Sequence, residues 1–169
     1  FLSTPFDLES LSFLVNKVKV KQLKLPSGEI TNALLLLEAA QSGLPIIMST
    51  GMSTLSEIET ALSVLAFGYT STRESPSIER FQKSYFSSEG QLALKEKVTL
   101  LHCTTEYPAP FDEVNLRAMD TLRSAFELKV GFSDHSQGIS APLAAVARDA
   151  VLIENHFTSP RGLGVPLQR

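Results

Sequence analysis

The sequence predicts an α/β fold, a parallel sheet covered by helices and curved into an incomplete barrel. Two observations lead there. Short, almost wholly apolar runs of strand length alternate strictly with amphipathic stretches of helix length, the pattern of a parallel sheet covered on its faces. Polar clusters follow five successive runs: Ser27-Gly28-Glu29, Ser49-Thr50-Gly51-Met52, Cys103-Thr104-Thr105-Glu106-Tyr107, Ser133-Asp134-His135 and Asn155-His156-Phe157-Thr158. An open sheet gathers its polar groups at one switch-point crevice, whereas a barrel draws its site from the C-terminal ends of many strands.

Taken in order, Phe1–Ser3 reads as the tail of a strand. A helix follows near Leu8–Val15 with Leu8, Leu11, Phe13 and Leu14 inward. Val20–Leu25 is a strand and Ala33–Gln41 a helix. Pro45–Ser49 is a buried strand, and Thr54 with Glu57 forms a capping box that opens a helix towards Ala66. Val98–His102 is a strand, residues 116–125 a helix, Lys129–Phe132 a strand, 141–148 a helix and 150–154 a last strand. Residues 71–97, rich in Ser, Glu and Lys, interrupt the rhythm. They read as a surface insertion of two short helices, with a lid or subunit contact as the other reading. Six strand positions result, in one domain over residues 1–169.

Composition narrows the function. The chain has 169 residues, 43% apolar and 20% charged, with a formal net charge of −3, which fits a globular domain with a sizeable core. Acids and bases are mixed along it, against the basic patch of a nucleic-acid surface. A single cysteine, Cys103, rules out a disulfide within one chain and suits a reducing cytoplasm. No apolar run approaches the roughly 20 residues that span a bilayer. The chain opens on Phe1 rather than Met and reads as a piece of something longer, because α/β barrels usually need about 250 residues.

Candidate chemistry lies at the strand ends. His135 and His156, each just beyond a strand, could together bind a divalent metal with positions left open; as separate structural histidines they need no metal. Lys24 could neutralise a phosphate or carboxylate or form a Schiff base, and in the plain alternative it is a solvated lysine beside a helix-leading Glu29. Ser49-Thr50-Gly51-Met52 either holds phosphate oxygens or makes a strand-to-helix turn. Tyr107-Pro108 and Pro110 stiffen a loop suited to a pocket wall. Cys103 reads as a small buried hydrophobe, and His102 is assigned no role.

The segments STPFD (3–7), KLPSGEITN (24–32), STGM (49–52), LLHCTTEYPAP (100–110), VNLRAMDTLR (114–123), GFSDHSQGI (131–139) and HFT (156–158) together closely resemble the N-acetylneuraminate (sialic acid) synthase family, which includes the legionaminic and pseudaminic acid synthases. The resemblance implies a (β/α)8 TIM barrel, present as about six of eight units and lacking the first two strands. It implies condensation of phosphoenolpyruvate with N-acetylmannosamine or a related N-acyl amino sugar in its aldehyde form. The enol carbon attacks, water adds, and phosphate leaves by C–O cleavage to give a nonulosonic acid. His135 and His156 match the two ligands of a divalent metal, Mn2+ or Mg2+. Lys24, Ser27, Ser49 and Ser133 match positions that hold phosphoenolpyruvate, and Thr4, Phe6, Thr105 and Tyr107 match positions lining the pocket. Glu29 and Lys24 match the catalytic positions. A homodimer of the full-length protein is implied as well.

Departures qualify the resemblance. The family's C-terminal antifreeze-like domain has no counterpart, Asn155 stands where Lys or Arg is usual, and Ser159–Pro166 carries no acid where the family has one. Six strands cannot close a barrel of eight, which leaves two sheet edges unpaired. The chain by itself is expected to be marginally stable and inactive or nearly so. The second reading is therefore a truncated remnant that acts only as a binding or structural module. A different barrel enzyme, a Schiff-base aldolase or two-histidine metallohydrolase, is the third.

Overall fold

The computed structural model describes residues 1–71 and 74–156. Among them are five strands, β1 (Leu23–Leu25), β2 (Ile46–Ser49), β3 (Val98–Cys103), β4 (Lys129–Asp134) and β5 (Ile153–Asn155). They form one sheet in the order β1-β2-β3-β4-β5, and every pair is parallel. Helices occupy the connections: α1 (Leu8–Phe13), α2 (Ala33–Gln41), α3 (Leu55–Thr70), α4 (Ile78–Tyr85), α5 (Ser88–Lys97), α6 (Arg117–Phe126) and α7 (Ser140–Val146).

Register sorts the strand residues between two faces, since successive side chains alternate. Leu23, Ile46 and Val98 stand in one row, and Leu25, Met48, Leu100 and Val130 in the next. With Phe132 these residues share the principal core with the helices. The opposite face carries Lys24, Ile47, Ser49, Leu101, Cys103, Gly131, Ser133 and Glu154 by the same registers. The helix-covered face is thus apolar through the body of the sheet, with His102, Asp134 and Asn155 only at its C-terminal edge, and Lys24, Ser49, Ser133 and Glu154 fall on the other.

The sheet is curled into a half-barrel. Four inter-strand steps of about 4.8 Å would set β1 and β5 roughly 19 Å apart in a flat sheet. Lys24 of β1 and Glu154 of β5 nevertheless form an ion pair at 3.3 Å, which only strong curvature permits. Helix packing supports the curve from outside. Leu35, Leu36, Ala39 and Ala40 of α2 are buried against α3, where a Cβ on Gly68 would lie 2.6 Å from the Ala40 Cβ. Thr54 and Glu57 close the expected capping box at the start of α3. In the polar segment before β3, α4 and α5 pack on α3, with Phe81 edge-on to Phe67 at 5.2 Å.

Several elements differ from the sequence expectation. Phe1–Ser3 forms no ladder; its link to the sheet is a single backbone bond from Lys24 N to Ser3 O, so five strands rather than six are described. Leu8 and Phe13 are exposed, whereas Leu11 and Leu14 are buried. On a helix, positions three apart share a face and positions two apart do not, so Leu11 and Leu14 turn inward and Phe13 away. α3 runs one turn beyond Ala66, and the last strand begins at Ile153 rather than Ala150.

Gly131 marks the tightest approach in the sheet. A Cβ there would lie 2.4 Å from the Leu152 carbonyl oxygen, because the chain entering β5 bonds closely along β4 (Phe132 N to Leu152 O, 2.9 Å). Gly131→Ala is expected to cost about 1–3 kcal/mol through overpacking against backbone. A urea midpoint equal to that of the parent would contradict this account of the β4–β5 contact.

Candidate functional site

Polar residues from four strand ends meet in a cavity of about 360 Å3. Lys24 is 7% exposed and anchors it. Its ammonium donates to Ser49 Oγ at 2.9 Å and pairs with Glu154 Oε2 at 3.3 Å. Burial of a lysine is tolerated only with such partners. The same Glu154 oxygen accepts from Ser133 Oγ at 2.5 Å. β1, β2, β4 and β5 are therefore joined by one chain of polar contacts on the inner face.

His135 follows β4 and is oriented from both ring nitrogens. Its Nδ1 lies 2.6 Å from the Thr104 carbonyl oxygen, which can only accept, so Nδ1 carries the hydrogen. In the neutral ring Nε2 then accepts from the Tyr107 hydroxyl at 3.0 Å. Tyr107 stacks on the imidazole with centroids 4.0 Å apart, and His156 lies 5.4 Å from His135 and 5.5 Å from Tyr107. Backbone contacts fix this loop to the next strand end: Ala109 N donates to His135 O at 2.8 Å, and Ala109 bridges to Ser136. Burial pushes the ionisation of His135 below the ordinary imidazole value, against the raising effect of the Thr104 carbonyl. His102, held to Val114 O at 2.7 Å and stacked on Phe132, is lowered by burial too.

Asp134 points to the other side of β4 and is fully buried. It accepts from Ser136 N, Ser136 Oγ and Asn155 Nδ2 at 2.9, 2.7 and 3.3 Å, so it braces the two loops that present His135 and His156. The loop after β2 approaches β3 closely: a Cβ on Gly51 would lie 2.8 Å from Cys103 Sγ. Cys103 is buried, and that burial raises its thiol ionisation, as fits a packing residue.

Of the residues singled out from sequence, Thr4, Phe6, Lys24, Ser27, Ser49, Tyr107, Ser133, His135 and His156 all line this cavity. Glu29 and Thr105 do not. Glu29 sits in a 3-10 turn one step beyond the strand end, and its Oε2 accepts from Asn32 Nδ2 at 2.7 Å. Thr105 is exposed beside Gly51. Phe157, Thr158 and the divergent Ser159–Pro166 lie outside the described residues. The sequence reading missed Glu154 and Asp134 as site residues; the signal for Glu154 was an acid closing an apolar strand. Among the described residues no group of three or more His, Cys, Asp or Glu converges as a metal cluster, and no helix is long and apolar enough to cross a membrane.

A sequence model of the NeuB family matches residues 1–166. The chain belongs to the NeuB family. Among its relatives, the N,N'-diacetyllegionaminic acid synthase of Campylobacter jejuni is 49% identical over 166 residues, covering 98% of this chain and 42% of that protein. The pseudaminic acid synthase of Helicobacter pylori is 29% identical over 164 residues, covering 97% and 41%. Among solved structures, the N-acetylneuraminic acid (sialic acid) synthetase of Leptospira borgpetersenii superimposes with a TM-score of 0.76 at 38% identity, over 98% of this chain and 50% of that one. This NeuB chain thus spans two fifths to one half of the length of these relatives. The curled α/β half-barrel is consistent with part of their barrel.

The depressed ionisation of His102 and His135 makes stability depend on pH. Below the unfolded imidazole value, near pH 6.5, the unfolded chain takes up protons that the folded one refuses. The contribution is complete above that pH and is lost as pH falls towards the folded values. NMR titration should give His102 a midpoint below about 6.5, with a urea midpoint that drops on acidification. A His102 midpoint above that value would refute the assignment.

Proposed function

We propose that this chain carries the phosphoenolpyruvate side of the active site of a nonulosonic acid synthase. Such an enzyme of sialic-acid-type biosynthesis joins phosphoenolpyruvate to N-acetylmannosamine or a related N-acyl amino sugar and releases phosphate. One observation carries the reading: a buried lysine and the hydroxyls of Ser27, Ser49 and Ser133 converge from three strand ends on the cavity that holds both histidines. Lys24 supplies the cation for the carboxylate or phosphate, and the three hydroxyls donate to its oxygens. Thr4, Phe6 and Tyr107 form the sugar side, with the Tyr107 ring covering one face of His135, and Thr105 would join them only by a shift of its exposed loop. Glu29 would orient water or move a proton, which requires its carboxylate to leave Asn32.

The histidines suit a divalent metal, Mn2+ or Mg2+. His135 and His156 would hold it, their rings standing 5.4 Å apart at adjacent strand ends. The Thr104 carbonyl fixes the His135 tautomer that leaves Nε2 its lone pair, as the second sphere of metal sites does. Bound there, such an ion supplies Lewis-acid polarisation of an aldehyde oxygen. A cytoplasmic homodimer remains part of the proposal.

The named relatives are synthases and a synthetase, which does not favour a remnant acting only as a binding module. Paired with Glu154, the Lys24 ammonium has no free lone pair for Schiff-base chemistry. The test is phosphate release from phosphoenolpyruvate with Mn2+ and N-acetylmannosamine, for this chain and for a version extended at both ends. Release is expected from the extended protein, dependent on both substrates and cut about 100-fold by Lys24→Met. Mn2+ affinity, followed by electron paramagnetic resonance, should fall at least about tenfold in His135→Ala and His156→Ala. Phosphate release that ignores Lys24 would overturn the assignment.

A further inference from the structure

Lys24 is the one lysine or arginine among the described residues lining the cavity, and an anion of the protein itself already occupies it. Glu154 Oε2 lies 3.3 Å from Lys24 Nζ and accepts from Ser133 Oγ at 2.5 Å. These are two of the donors assigned above to the substrate's anionic groups. A serine hydroxyl has a single hydrogen to give, so Ser133 cannot serve Glu154 and a second anion together. A carboxylate that stays on Lys24 would also repel an incoming phosphate within contact distance. The two side chains differ in freedom: that of Lys24 is 8% exposed and that of Glu154 37%. Lys24 is fixed by its surroundings, and Glu154 sits at the cavity wall with room to turn away.

We propose that Glu154 is an internal counter-anion, which holds Lys24 and Ser133 in place for an anionic ligand and must leave them when that ligand binds. The inference rests on the reading of Lys24 and Ser133 as the anion's partners. It makes Glu154 a competitor that sets the affinity of the site: only a ligand with enough negative charge to replace the carboxylate enters. A neutral sugar does not displace it. The arrangement also keeps a buried ammonium paired while the site awaits its substrate, which an unpartnered lysine at this depth would not tolerate.

The test is calorimetric titration of inorganic phosphate and of phosphoenolpyruvate into the full chain in the presence of EDTA, for the parent, Glu154→Gln and Lys24→Met. Glu154→Gln keeps the shape and removes the charge. It should bind inorganic phosphate about 3- to 10-fold more tightly than the parent, the range for relief of a part-exposed charge pair. Lys24→Met should abolish the binding. Phosphate binding that Lys24→Met abolishes but Glu154→Gln leaves unchanged or weakens overturns this inference alone. Binding that survives Lys24→Met, or no binding to any variant, overturns the site reading and the inference with it. A structure of the unmodified chain with phosphate gives a check free of mutation: the Lys24–Glu154 contact should open beyond ion-pair distance, and a carboxylate still on Lys24 overturns the proposal.

Discussion

Lys24 on the first described strand and Glu154 on the last are 3.3 Å apart, although four strand spacings separate their backbones. That contact exists because the sheet curls, and the curl exists because each face has a different character. The outer face presents rows of Leu, Ile, Met and Val to α2, α3 and α6, whose close packing bends the sheet over itself. The inner face carries the serines, the cysteine, the lysine and the glutamate. A flat sheet with the same registers would spread these polar groups over a surface too wide for any one ligand. Curvature turns a row of strand ends into a cavity.

The histidine corner depends on loops that brace one another. The Thr104 carbonyl selects the tautomer of His135, the Tyr107 ring and hydroxyl cover it, and Ala109 returns to bond the His135 backbone. Asp134, buried behind the strand, gathers Ser136 and Asn155 and so ties the exit of β4 to the exit of β5. Apart from the Asp134–Ser136 turn, each contact crosses from one βα connection to its neighbour. Loops held in this way are stiff without being buried, which suits groups that must meet a substrate in one geometry. With Asn155 at this position, Asp134 is held by a neutral amide rather than a cation.

Much of the fold could be read directly from the residues. The bounds of α2, the capping box of α3 and the positions of β2, β3 and β4 follow from apolar periodicity and from Thr54 with Glu57, because those signals are local. The ends were harder. Phe1–Ser3 has strand-like composition, yet its place in a sheet depends on a neighbour that three residues cannot specify. Leu8 and Phe13 look inward by hydropathy alone, and only the docking of α1 decides that Leu11 and Leu14 make the contact.

The site divides the same way. Sequence alone determined which strand ends are polar and, through the ordered motifs, which side chains belong together: Lys24, Ser27, Ser49, Tyr107, Ser133, His135 and His156 all reached one cavity. Tertiary structure alone decided that Glu154 faces Lys24, that Asp134 faces away, and that Glu29 turns to Asn32. Facing depends on strand parity, register and the curl of the sheet together. Parity is written in the sequence, but register and curl emerge only when residues distant along the chain pack together in the core.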